Sequence, residues 1–117
     1  MALSGPIYDK TFELADRCVA LFKVLQRNRE YNLSSQMERS GTSVGAMVRE
    51  AKFAQSKADF ISKMQIGLKE ANETQYWLKL LWRNEYIDEK TFTYMYGLAD
   101  EVISMLVAII RTSKSNM

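Results

Sequence analysis

The sequence predicts an all-α protein of one domain (residues 1–117), folded as an up-down-up-down antiparallel four-helix bundle. Apolar side chains recur three and four residues apart through four segments, about 9–26, 35–54, 57–83 and 89–112. The polar stretches between them are short enough to join neighbouring antiparallel helices. One proline and five glycines are few for a loop-rich or all-β chain, and 117 residues make one core but not two domains.

In the first segment Phe12, Ala15, Val19 and Phe22 form one stripe at heptad spacing, and Leu14, Cys18, Leu21 and Leu25 form a second beside it. Together they span roughly half the helix circumference, where a core-facing helix needs an arc of only about 100°. Gln26 to Asn32 is a polar turn, after which Ser35 and Glu38 read as a capping box opening the second helix. Met37, Gly41, Val44, Val48 and Ala51 then keep a/d spacing, with Ser40, Ser43 and Gly45 alongside. A glycine inside a helix costs about 1 kcal/mol relative to alanine. Gly41 and Gly45 therefore point to a closely approaching partner helix; a local helix irregularity is the weaker alternative.

Between Ala54 and Ala58 the stripe lapses, and Ser56 reads as the cap of the third helix with Asp59 three residues on. That helix carries Phe60, Met64, Gly67, Ala71, Thr74, Leu78 and Leu81, with Gly67 and Ala71 expected against the small residues of the second helix. Arg83 to Glu89 is the next turn, and Asp88 reads as the cap of the fourth helix. Its core face is Phe92, Met95, Ala99, Val102, Leu106, Ile109 and Ile110. Leu98, Ile103, Met105 and Val107 widen the apolar arc toward about 200°, and a frayed polar tail, Ser113 to Met117, follows. The surplus apolar surface on the first and fourth helices predicts contact between copies of the chain, with Leu14, Leu21, Tyr76, Trp77, Ile103 and Val107 as candidate interface residues.

Composition excludes most catalysis. There is no histidine, the commonest general base near neutral pH and the commonest transition-metal ligand. The single cysteine, Cys18, falls in the apolar arc of the first helix, where a core role outweighs a nucleophilic one. Glu50, Glu70 and Glu73 cannot complete a Glu-x-x-His di-iron motif, and a solvated or Lys-paired face is the stronger reading. Gly41 and Gly45 form no phosphate-cradling loop. The expectation is a protein that is not an enzyme and takes no cofactor and no metal. One cysteine and the lack of a signal-like start predict cytoplasmic residence. The longest uncharged apolar run, Val102 to Ile110, has nine residues, against about 20 for a membrane span. No membrane association is therefore expected.

Charge is unevenly distributed. From Arg39 to Lys69 six basic residues (Arg39, Arg49, Lys52, Lys57, Lys63, Lys69) outweigh Glu50 and Asp59, a balance of +4; from Glu70 to Glu101 the balance is −4. A basic surface attracts nucleic-acid phosphates, yet opposite charges on neighbouring subunits would equally guide assembly. Tyr76, Trp77 and Trp82 offer stacking surfaces, but packing or interface roles are the commoner use of such aromatics, and Tyr31, Tyr86, Tyr94 and Tyr96 share that ambiguity.

The segments LSSQMERSGTSVGAMVREA (33–51) and DFISKMQIGLKEANETQYWLKLL (59–81), followed by Tyr86 and Ile87, resemble the four-helix bundle proteins encoded in intervening sequences of bacterial large-subunit ribosomal RNA genes. With the first and fourth stripes the resemblance covers nearly the whole chain. It implies a homopentameric ring. A distant relative, the accessory protein of diversity-generating retroelements, is similar in fold and associates with reverse transcriptase and nucleic acid. Two positions depart from the family pattern: Met47 stands where asparagine is expected in the GANIREA-like segment, and Gly67 where alanine is usual. Arg39, Arg49 and Lys63 match the family's basic positions and, with Lys52, are the expected RNA or DNA contacts. The expected function is a non-enzymatic pentamer binding nucleic acid; the alternative is an oligomeric scaffold or adaptor for another protein.

Overall fold

A computed structural model describes residues 5–116. Four helices run in chain order, α1 (Pro6–Arg27), α2 (Asn32–Ala51), α3 (Lys57–Arg83) and α4 (Glu89–Ser115). Each packs against its chain neighbour, and α4 returns to α1 to close the square, with no diagonal contact among the described residues. The product is a rod of 47 × 20 × 20 Å, its long axis set by the 27-residue helices at about 1.5 Å per residue.

The helix ends follow from local chemistry. Pro6 occupies the first turn of α1, where its missing N–H costs nothing, so the helix begins earlier than its apolar stripe. The capping box expected at Ser35 does not form. Glu30 caps α2 instead: its buried carboxylate accepts hydrogen bonds from the backbone N–H groups of Leu33 (3.0 Å) and Ser34 (2.6 Å). Ser35 lies one turn inside the helix and donates to the Tyr31 carbonyl. Sequence spacing favoured Ser35 because glutamate is an uncommon cap. Ser56 and Asp88 do cap α3 and α4, accepting from the N–H groups of Asp59 (3.0 Å) and Thr91 (2.8 Å). Helix α4 continues to Ser115 with Ser113 buried, so the expected frayed tail is helical; Met117 lies outside the described residues.

Two turns share one geometry. After α1, Arg29 takes φ 65° and the Glu30 N–H bonds the Leu25 carbonyl at 2.9 Å. After α3, Glu85 takes φ 65° and the Tyr86 N–H bonds the Leu81 carbonyl at 2.9 Å. Both close the helix in the left-handed manner that usually recruits glycine.

The core is a continuous column of side chains from Leu14, Cys18 and Leu25 through Met37, Val44 and Val48 to Met64, Leu78, Leu81, Val102 and Leu106. Leu14 is fully enclosed within the subunit, which corrects its assignment to an outer interface. The stripe α1 turns outward is the other one, with Phe12 72% exposed and Ala15, Val19 and Phe22 half-buried. Two apolar stripes look alike in sequence, and only the positions of α2 and α4 decide which is covered.

The small residues of α2 serve α1 as much as α3. Gly41 lies against Cys18, where an added Cβ would come within 2.3 Å of Sγ, and Gly45 lies against the Thr11 backbone. Gly67 faces Val44 and Met47 of α2 as expected, but with ordinary van der Waals room for a methyl group. Polar pairs fix the register of α3: Ser40 and Thr74 hydroxyls meet 2.9 Å apart against α2, and Gln75 donates to the Tyr96 carbonyl and to Asp100 (2.8 Å) on α4. By length and composition α4 does satisfy the requirements of a membrane-crossing helix, its most apolar 18-residue window having a mean hydropathy of 1.4. Its few charges are isolated, so the stretch is apolar on average although its longest uncharged run has nine residues. In the bundle Leu98, Ala99, Val102, Leu106 and Ile110 of α4 face the core.

Candidate nucleic-acid interface

The four expected phosphate contacts separate into two pairs. Arg39, on the exposed flank of α2, reaches across to α3, where its guanidinium bonds Glu70 at 3.2 Å and also Glu73. Its Nε donates to Gln36, and Glu73 in turn accepts from the Trp77 indole at 2.9 Å. Lys63 pairs with Glu50 at 3.4 Å. These two cations clamp α2 to α3, and their charge is spent locally. The same pairs account for Glu50, Glu70 and Glu73: two carboxylates converge on Arg39 and the third on Lys63.

Arg49 and Lys52 differ. Both are exposed, and among the described residues neither forms an ion pair. They flank the α2–α3 turn at one end of the rod, where α3 begins and α4 finishes. The Lys52 ammonium lies over two rings, 5.7 Å from the centroid of Tyr8 and 5.8 Å from that of Phe53. Lys57, on the first turn of α3, donates to the Asn116 carbonyl at 3.4 Å and ties that turn to the end of α4. A hollow of about 360 Å³ opens here, lined by Ala51, Lys52, Ala54, Ser56, Lys57 and Phe60, with two cations on its wall and no carboxylate. Of the nearby carboxylates, Glu50 pairs with Lys63 and Asp59 accepts from the Gln55 N–H, while Arg49 also lines a groove that holds Asp9, Glu13 and Asp16 of α1.

Phe53 and Lys57 carry no site role in the sequence reading. The signal was present: AKFAQSK sets an aromatic residue between two lysines where the core stripe lapses, so the ring has no core position to fill. Of the expected interface residues other than Leu14, Tyr76 is 59% exposed, whereas Leu21, Trp77, Ile103 and Val107 are half-buried at the margins of their helices. Trp82 stacks on Phe92, with centroids 4.5 Å apart, and is a packing residue between α3 and α4.

The seam between α1 and α4 is polar on its outside. Lys10 pairs with Glu13 and with Glu101, and Arg17 covers the Tyr94 ring at 5.2 Å. The Tyr94 hydroxyl donates to Glu13, which raises its pKa above the ordinary tyrosine value. At Cys18, burial and then the charge of Glu38 push the thiol up to about 12, so the nucleophilic thiolate is suppressed at neutral pH.

A rod of four antiparallel helices with an interlocked α2–α3 flank and a basic turn at one end defines an α-helical bundle protein. The family model of the 23S rRNA-intervening sequence protein matches residues 5–108, and the chain belongs to that family. It is also similar to the crystal structure of a protein of unknown function from the S23 ribosomal protein family of Bacteroides thetaiotaomicron VPI-5482. The two chains are 47% identical with a TM-score of 0.87, the match covering 90% of this chain and 98% of that one. None of the curated proteins matches the chain.

Proposed function

We propose that the protein is a non-enzymatic homo-oligomer, a pentamer by family resemblance, that binds the phosphate backbone of RNA or DNA through the α2–α3 end of its bundle. The observation that carries this reading is a carboxylate-free hollow walled by exposed Lys52 and half-buried Lys57, with exposed Arg49 one turn back on α2. The amino terminus of α3 adds the positive end of a 27-residue helix to the same surface. Symmetric assembly would repeat the cluster once per subunit and multiply its field. Support for assembly comes from Phe12, Val19 and Phe22 on α1 and Ile103 and Val107 on α4, apolar side chains that a single bundle leaves partly open.

Fluorescence anisotropy with labelled RNA and DNA tests the binding. Three phosphate contacts per subunit predict a log–log dependence of affinity on salt with a slope of at least about −2. Arg49→Ala, Lys52→Ala and Lys57→Ala together should abolish binding, whereas Arg39→Ala and Lys63→Ala should leave affinity within about twofold while weakening the fold. Absence of binding at low salt would favour the second reading, an oligomeric scaffold for another protein, which the local neutralisation of Arg39 and Lys63 supports. Light scattering tests assembly separately, and a stable monomer would remove it.

A further inference from the structure

We infer that the α2–α3 end takes single-stranded nucleic acid, with one base stacked on Phe53. The inference rests on the polyanion-binding reading above and adds the class of ligand. Phe53 is 77% exposed, the most open of the exposed large apolar side chains among the described residues. One exposed apolar residue is ordinary; its company is not. Arg49, Lys52 and Lys57 lie four residues before, one before and four after it, and Lys52 already covers one face of the ring. Other exposed aromatic residues sit beside carboxylates: Phe12 shares its groove with Asp9, Glu13 and Asp16, which outnumber the one cation there, Arg49; Tyr76 lies with Glu70 and Glu73, and Tyr94 bonds Glu13. Those surroundings repel a phosphate chain.

An aromatic face ringed by cations holds an unpaired base by stacking while the cations hold the flanking phosphates. A duplex cannot use it, because its bases are already stacked and only its phosphates reach the surface. Phe53 also has no part in the core that would explain an aromatic residue at this place, since the hollow beneath the turn is lined by the buried Phe60 and not by Phe53. Tyr31 provides the internal control. It is 53% exposed on the α1–α2 turn at the far end of the rod, and among the described residues no cation lies over its ring.

The test compares three labelled oligonucleotides of one length: a single strand, the same strand in a duplex, and a single strand in which abasic sites replace the bases but all phosphates remain. The single strand should bind about 5- to 150-fold more tightly than the abasic strand, the range that one stacked base contributes. Phe53→Ala should lower single-strand affinity to the abasic level with the salt slope unchanged, Phe53→Trp should restore it, and Tyr31→Ala should have no effect. Equal binding of the base-bearing and abasic strands would overturn the stacking inference and leave phosphate binding intact. A change in oligomer size with Phe53→Ala would overturn it too, by making Phe53 a subunit contact. If neither strand binds at low salt, the polyanion reading itself fails. Thermal melting of each variant separates these outcomes from misfolding.

Discussion

Gly41 offers the sharpest test of how the bundle is packed. Replacing it with alanine places a methyl carbon 2.3 Å from Cys18 Sγ and 3.0 Å from Cys18 Cβ. Ordinary contact is about 3.5–4.0 Å, so α1 and α2 must part locally by about 1 Å, enough to forfeit a quarter to a half of the dispersion energy of the contacts there. Rotation of the Cys18 side chain moves Sγ but not Cβ, which the helix holds 3.0 Å from the new methyl carbon, and the residue is fully enclosed. Overpacking of this kind costs about 1–3 kcal/mol or more, offset by about 1 kcal/mol of helix propensity gained on losing glycine. We expect Gly41→Ala to lower stability by about 1–2 kcal/mol in chemical denaturation at fixed protein concentration. Two glycines serve as opposite controls. Gly97 has nothing within 4 Å of an added Cβ, and Gly67 has only contacts of 3.5 Å and beyond. Alanine at either position should stabilise by up to about 1 kcal/mol. Cys18→Ala should recover part of the Gly41→Ala loss, with a coupling of about 1 kcal/mol in the double-mutant cycle. A Gly41→Ala variant as stable as the parent, or independent effects of the two changes, would refute the argument.

Four further outcomes are expected. Glu30→Ala leaves the Leu33 and Ser34 N–H groups without their carboxylate and should cost about 1–2 kcal/mol, whereas Ser35→Ala, at the position sequence spacing favoured as the cap, should cost far less; denaturant midpoints compare them. Arg29→Gly and Glu85→Gly relieve left-handed backbone at φ 65° and should each stabilise by about 0.5–1 kcal/mol in the same assay, and a loss at both would contradict the turn geometry. The Tyr8 hydroxyl is buried with no hydrogen-bond partner among the described residues, so Tyr8→Phe should raise the melting temperature. Tyr94 has its folded-state pKa raised, chiefly by the hydrogen bond to Glu13. Its contribution to stability is therefore complete below the ordinary tyrosine pKa and lost as pH rises through the raised value. Phenolate absorbance should show one tyrosine ionising later than the rest, and Glu13→Gln should bring it back toward the others.

Much of the fold was legible because it rests on periodicity. The bounds of α3 and the caps Ser56 and Asp88 follow from a stripe interrupted by polar residues with the right chemistry. Errors fell where two residues compete for one role. Ser35 and Glu30 both suit the start of α2, and the choice depends on Glu30 being carried back over the helix end by the left-handed turn at Arg29. The candidate site was half legible. The charge pattern and the family resemblance selected Arg39, Arg49, Lys52 and Lys63 together, since sequence records the sign of a side chain and not its partner. Arg39 and Glu70 are 31 residues apart in the chain and bonded in space.

Four amphipathic helices, their antiparallel order and the absence of histidine chemistry follow from the amino-acid order, because each depends on residue type and spacing within one segment. Tertiary structure alone decided which stripe of α1 is buried, which glycines must remain glycines, and which cations stay unpaired. Those properties belong to pairs of helices, and the distance between two helix surfaces, which fixes every clash and every ion pair across them, is written in neither helix alone.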